Sequence, residues 1–122
     1  MKTGWHLLIR YADWLTFAYF LVLSYMLISP LDDLPIEVGN DKLAHVLAFA
    51  LLAVLGTFRR IEVFAIVVTA FLFVVYGGVT ELLQPYVNRD GEIGDFVANT
   101  IGVAVGTVAG QTLRRMLPSI QR

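Results

Sequence analysis

"GVTELLQPYVNRDGEIGDFVANTIG", Gly78 to Gly102, decides the fold. Apolar segments run into it from one side and out of it on the other. A proline, two glycines and a cluster of charges interrupt them between Gln84 and Gly94. Such a break ends one helix and lets another begin. The stretch also carries Glu81, Gln84, Arg89, Asp95 and Asn99 on or between segments that otherwise avoid charge. The first question is what solvent those segments occupy, and the second is why polar groups are kept there.

The chain has 122 residues, of which 57% are hydrophobic and 16% charged. Soluble domains average roughly 45–50% and about 25%. A single small domain has too little interior to hide so much apolar surface, so lipid is its expected solvent. The net charge of -1 and the lack of a long basic run exclude nucleic acid as an expected partner. With no cysteine, neither a disulfide framework nor a thiolate metal site can form.

Working outward from the opening stretch, four apolar segments are expected as helices, at about residues 11–29, 42–58, 61–84 and 95–115. At about 1.5 Å per residue they reach across, or nearly across, a hydrocarbon core of about 30 Å. The first two are short and borrow length from flanking polar residues. Backbone in lipid must satisfy its own hydrogen bonds, and no alternating ten-residue pattern suggests a barrel. The fold class expected is therefore all-α: a single domain over 1–122, built as an integral membrane bundle of four transmembrane helices. The first segment is read as a retained helix, because three more spans follow and no small-residue cleavage site appears near Ser29.

Basic residues give the direction. Lys2, Arg10, Arg59, Arg60, Arg114, Arg115 and Arg122 fall on one side, and only Lys42 and Arg89 on the other. The positive-inside rule then puts both termini in the cytoplasm. The connections 30–40 and 85–94 face outward.

On that reading, His45 lies four residues into helix two, Glu81 three residues before Gln84 at the end of helix three, and Asn99 four residues past Asp95 in helix four. Each is about one turn, roughly 5–6 Å, below the outer surface, with Tyr25 of helix one at a similar depth. Spacings of three and four align Asp41 with His45, Glu81 with Gln84, and Asp95 with Asn99. The candidate site is thus Asp41, Lys42, His45, Glu81, Gln84, Arg89, Asp95 and Asn99. Simpler roles stand beside this one. Asp41 and Asp95 directly precede apolar helices and suit an N-cap, His45 suits a buried hydrogen bond, and Asn99 suits a link between helices. Glu81 fits such readings least, since a carboxylate in the last turn of a helix opposes the macrodipole. Near hydrocarbon it needs a cation, donors or a proton.

Ala98, Gly102, Gly106 and Gly110 recur every four residues in helix four, a smooth stripe for close helix packing. Packing within the bundle is expected first, with a homo-oligomer through helix four as the alternative. Gly77-Gly78 in helix three is a candidate facing surface or a kink.

Together, "DKLAHVLAFALLAVL" from Asp41 and "GGVTELLQPYVNRDGEIGDFVANTIGVAVG" from Gly77 resemble the VanZ-like family of small bacterial membrane proteins. Asp41, Lys42, His45 and Phe49 match the first motif; Glu81, Gln84, Arg89, Asp95, Asn99, Gly102 and Gly106 match the rest. The resemblance covers helices two to four, and helix one matches as a generic span. It implies a multi-pass protein of the bacterial inner membrane and cell envelope, of the kind linked to resistance to the antibiotic teicoplanin. An outward polar site fits binding or remodelling of an anionic lipid, a lipid-linked cell-wall precursor or the glycopeptide itself.

Two alternatives remain open. A carboxylate and a histidine at one depth suit general acid–base attack on a lipid head group, although no serine or cysteine in the cluster can serve as nucleophile. A structural subunit of an envelope complex is the other. Transport finds little support, since the inner halves of the helices offer only Thr69 and Thr107. A metal through His45, Glu81 and Asp95 is weighed and set aside, because one histidine without a close partner makes a poor zinc set. No cofactor is expected.

Overall fold

The computed structural model describes residues 2–28, 41–87 and 93–116, and every one of its regular elements is helical. Helix α1 spans Lys2–Ile28, α2 Asp41–Thr57, α3 Val63–Leu83 and α4 Ile93–Met116, with a 3-10 turn at Gln84–Val87 after α3. The all-α expectation and the order of four helices hold. The boundaries shift in informative ways. Helix α1 begins well before residue 11, since Lys2–Arg10 contains no proline and simply continues the turn. Helix α3 starts only at Val63, because Ile61 and Glu62 belong to the connection.

Three helices are long and apolar enough to cross a membrane: Arg10–Ile28, Val63–Tyr86 and Ile93–Met116. Helix α2, with 17 residues, is the short one. At about 1.5 Å per residue it measures about 26 Å. It compensates by position, packing mainly against α4 and touching both other helices.

The α2–α4 contact rests on the small-residue stripe. Ala98, Gly102, Gly106 and Gly110 are all buried. A Cβ at Gly102 would overlap Val46 O, and one at Gly106 would overlap Ala50 O and stand 2.8 Å from Ala50 Cα. Only glycine lets the two backbones come this close, so the stripe is used within the chain and α2 covers it. The outward face of α4 carries Val97, Ile101, Val105 and Val108 instead, all exposed. Gly77 faces α4 at Asn99 Cβ, 3.1 Å from the position of a Cβ, while Gly78 looks onto Phe96.

Phe49 and Leu52 of α2, Leu23 and Leu27 of α1, and Val103 of α4 form the core between the helices. Beyond it the apolar surface points outward: Val63, Phe64, Val67, Phe71, Val75 and Leu82 of α3 are exposed. Only 11% of the α3 window is buried, the inverse of a water-soluble bundle.

Polar side chains then tie α1 on. Tyr19 donates its hydroxyl hydrogen to Ala48 O at 2.6 Å, and the hydroxyls of Ser24 and Tyr76 lie 2.6 Å apart. Hydrogen bonds of this kind join helices where no hydrophobic force does so. Asp13 of α1 meets Arg59 (3.1 Å) and Arg60 (3.9 Å) just past the end of α2, which marks the end of the bundle opposite the candidate site.

Candidate functional site

The candidate site forms where α2 and α4 begin and α3 ends. His45 enters from the second turn of α2 and Glu81 from the last turn of α3. Asp95 comes from the first turn of α4, and Asn99 lies one turn further on. All four are buried, with His45 4% and Asn99 1% exposed. Counting turns inward from the helix ends thus brings together residues up to 54 positions apart in sequence.

Their geometry centres on the imidazole. His45 Nδ1 lies 2.7 Å from Asn99 Oδ1, a short hydrogen bond. The amide oxygen can only accept, so Nδ1 carries the proton in this arrangement. On the other side of the ring Nε2 lies 3.8 Å from Asp95 Oδ2, and Nδ1 is also 3.9 Å from Glu81 Oε1. These two separations are longer than a direct hydrogen bond, about 2.7–3.2 Å. One ligand atom from each of His45, Glu81 and Asp95 lies within 4.8 Å of the others, the set that the sequence reading put aside as a metal centre. The single histidine remains its one nitrogen donor, and what the fold adds is that both carboxylates of the set are enclosed beside it.

Lys42 covers the cluster. Its Nζ lies 3.3 Å from Asp95 Oδ1, with the lysine side chain 55% exposed and that of Asp95 buried. Gly94 leaves room for this reach, since a Cβ there would stand 3.0 Å from Lys42 Nζ. The position of Asp95 corrects its reading as an N-cap: α4 starts at Ile93, so Asp95 is inside the first turn. There its charge still benefits from the positive end of the helix dipole, and its side chain is turned to Lys42 and His45.

Gln84 behaves differently from its neighbours in the motif. Its Nε2 donates to Leu27 O at 3.1 Å, so it caps the last turn of α1. Helix ends leave carbonyls without intrahelical partners, and this one is satisfied from the 3-10 turn that follows α3. Tyr25, placed by depth alone near the site, is 64% exposed and turned outward. Asp41 opens α2, but its side chain is outside the described atoms; Arg89 lies outside the described residues. Gln84 Oε1 and Asn99 Nδ2 are buried here without a hydrogen-bond partner among the described residues.

Sequence reasoning missed the polar contacts that are not near a helix end. Tyr19, Ser24 and Tyr76 had no signal beyond being polar atoms on apolar helices. Gln111, which donates to Thr57 O at 2.9 Å, sits at the opposite end and mirrors the role of Gln84. Thr69, considered for a polar path, donates to Ala65 O in its own helix. Thr107 Oγ1 is buried without a partner among the described residues.

Comparisons with protein-family models, with curated proteins and with solved structures found no match to this chain.

Proposed function

We propose that this chain is a VanZ-like, four-span protein of a bacterial cytoplasmic membrane with both termini inside, and that the polar end of its bundle engages a lipid head group on the extracytoplasmic side. The observation that carries this reading is the enclosure of His45, Glu81, Asp95 and Asn99 beneath the half-exposed Lys42, on helices whose other surfaces are apolar. Ionisable groups at membrane depth are costly and mark functional sites by default. The seven-to-two excess of basic residues on the other side supports the outward orientation of this end.

Lys42 is the described group that a head group would meet first. A phosphate of an anionic lipid or of a lipid-linked cell-wall precursor would compete with Asp95 for its ammonium. Asn99 and the carboxylates beneath would set the position of Lys42 and His45. Arg89, in the adjoining connection, is a second candidate contact. In this reading resistance to teicoplanin follows from altered access to an external precursor.

Catalysis is the second reading, favoured by one specific contact. Asn99 holds one ring nitrogen of His45 and leaves the other toward Asp95, the orientation a general base requires. Water would then be the nucleophile.

The test is a binding and phenotype pair. Chain reconstituted in nanodiscs should retain an anionic phospholipid or undecaprenyl-type diphosphate in native mass spectra, and Lys42→Ala and Glu81→Gln should each lower retention at least tenfold. The same variants should lose any teicoplanin resistance conferred in a susceptible host at unchanged membrane level. Full retention and full resistance in both variants would reject the site.

A further inference from the structure

The geometry points to a divalent-cation site, for a first-row transition ion such as Zn2+ or Mn2+, formed by His45, Glu81 and Asp95 and oriented by Asn99. Three separate features lead there. The first is the set of donors: one nitrogen and two carboxylate oxygens from three helices, within 4.8 Å of one another and buried. A mixed nitrogen and oxygen set of this kind suits first-row divalent ions more than magnesium or calcium, which favour oxygen alone.

The second is spacing. Nε2, the ring nitrogen not bonded to Asn99, stands 3.8 Å from Asp95 Oδ2, and the ligand atoms of His45, Glu81 and Asp95 all lie within 4.8 Å of one another. Atoms bound to one ion at about 2.0–2.2 Å in a tetrahedral site sit about 3.3–3.6 Å apart. Nε2 and Asp95 Oδ2 therefore stand within a few tenths of an ångström of the separation two ligands of one ion take, and a Glu81 carboxylate oxygen lies close enough to join them by a small inward shift.

The third is the outer partner. Metal-bound histidines commonly hand their second ring nitrogen to an oxygen that fixes the ring. Asn99 Oδ1 does this at 2.7 Å from Nδ1 and leaves Nε2 on the side of Asp95. The same carboxamide carries Nδ2, on a residue 1% exposed and without a partner among the described residues. An unpartnered donor beside the imidazole calls for an acceptor oxygen, which a water or a phosphate on the ion would supply.

Charge gives the ion a consequence. Among the described residues one ammonium, Lys42, lies against Asp95, and Glu81 is the second carboxylate of the cluster. With both carboxylates ionised, Lys42, Asp95 and Glu81 sum to one negative charge, which repels a phosphate. A divalent ion reverses the sign to one positive charge in excess. This last step rests on the head-group reading; the cation site itself does not.

The experiment uses the full chain, stripped with chelator, in nanodiscs of zwitterionic lipid only. Titration with Zn2+ by calorimetry should give one ion per chain. His45→Ala, Glu81→Gln and Asp95→Asn should each weaken affinity at least 100-fold, and Asn99→Leu about 10–100-fold as an outer partner. Because variants of a buried cluster can misfold, the wild-type chain is also loaded with Mn2+. Pulsed electron paramagnetic resonance should then detect a directly bound imidazole nitrogen. Binding below about 0.2 ion per chain, well short of the single site the ligand count demands, would overturn the inference. So would a Mn2+ spectrum without nitrogen coupling, or Zn2+ affinity unchanged in the folded carboxylate variants. No anionic lipid is present, so failure here leaves the head-group reading standing. Loss of lipid retention with Zn2+ still bound would remove that reading alone.

Discussion

Replacing Gly106 with alanine should destabilise the bundle by about 1–2 kcal/mol, although alanine is the better helix former. The added methyl would overlap Ala50 O and stand 2.8 Å from both Ala50 C and Ala50 Cα. Carbon atoms rest about 3.5–4.0 Å apart, so α2 and α4 would have to separate by about 1 Å at their tightest point. The obstacle is backbone and cannot rotate aside. Overpacking costs about 1–3 kcal/mol, and an immovable neighbour argues for the upper half of that range. Alanine returns about 0.5–1 kcal/mol through lower backbone entropy. The overlap wins.

Gly94→Ala is the matched control in the same helix. Its new methyl would meet Lys42 Cε and Nζ at 3.0 Å, the mobile end of a long side chain, so the propensity gain should survive. Reversible unfolding in mixed micelles, followed by circular dichroism against the fraction of denaturing detergent, reads the difference. Each 1.4 kcal/mol is about a factor of ten in the equilibrium. If Gly106→Ala proved as stable as Gly94→Ala, the close approach of α4 to α2 would be wrong.

Gln84→Leu should remove the donor from Leu27 O and cost about 1 kcal/mol. Hydrogen exchange should speed up over Tyr25–Ile28, and unchanged protection there would refute the capping role. Asp13→Asn should cost less than about 1 kcal/mol, because its contacts with Arg59 and Arg60 are solvent-exposed. The loss should vanish at about 1 M salt, where the screening length is about 3 Å; a loss that persists would mean the pair is more enclosed than described.

The helices were legible because the sequence is written as long apolar runs closed by polar or proline-rich connections. Their ends were less so. Nothing in Lys2–Arg10 stops a helix, so α1 extends past its apolar part, a continuation hydropathy does not register. The cluster of His45, Glu81, Asp95 and Asn99 was legible from depth alone, since each could be counted from the end of its helix. Depth says nothing about rotation, and rotation separates Tyr25, which faces outward, from His45, which faces in. On a helix apolar all round, no stripe fixes which side turns inward. Packing decides it, and so the contacts of Tyr19, Ser24 and Tyr76 had no sequence signal. Gln84 had the right depth and the right neighbour, yet an unpaired carbonyl of α1 claimed its amide. The metal set was visible as three residues and discounted for its single histidine, since a list of residue types does not reveal how closely two carboxylates are enclosed around it.

The brevity of α2 bears on how the protein is made. Its glycine-lined partner, α4, leaves the ribosome only after α3 has been synthesised in full. Until then the shortest segment of the chain, with His45 in its second turn, lacks the surface that seats it. On the membrane reading proposed above, α2 is expected to be held at the translocon or by a membrane chaperone during that interval. Nascent chains halted before Ile93 should therefore cross-link to insertion machinery through α2, and release it once α4 has emerged.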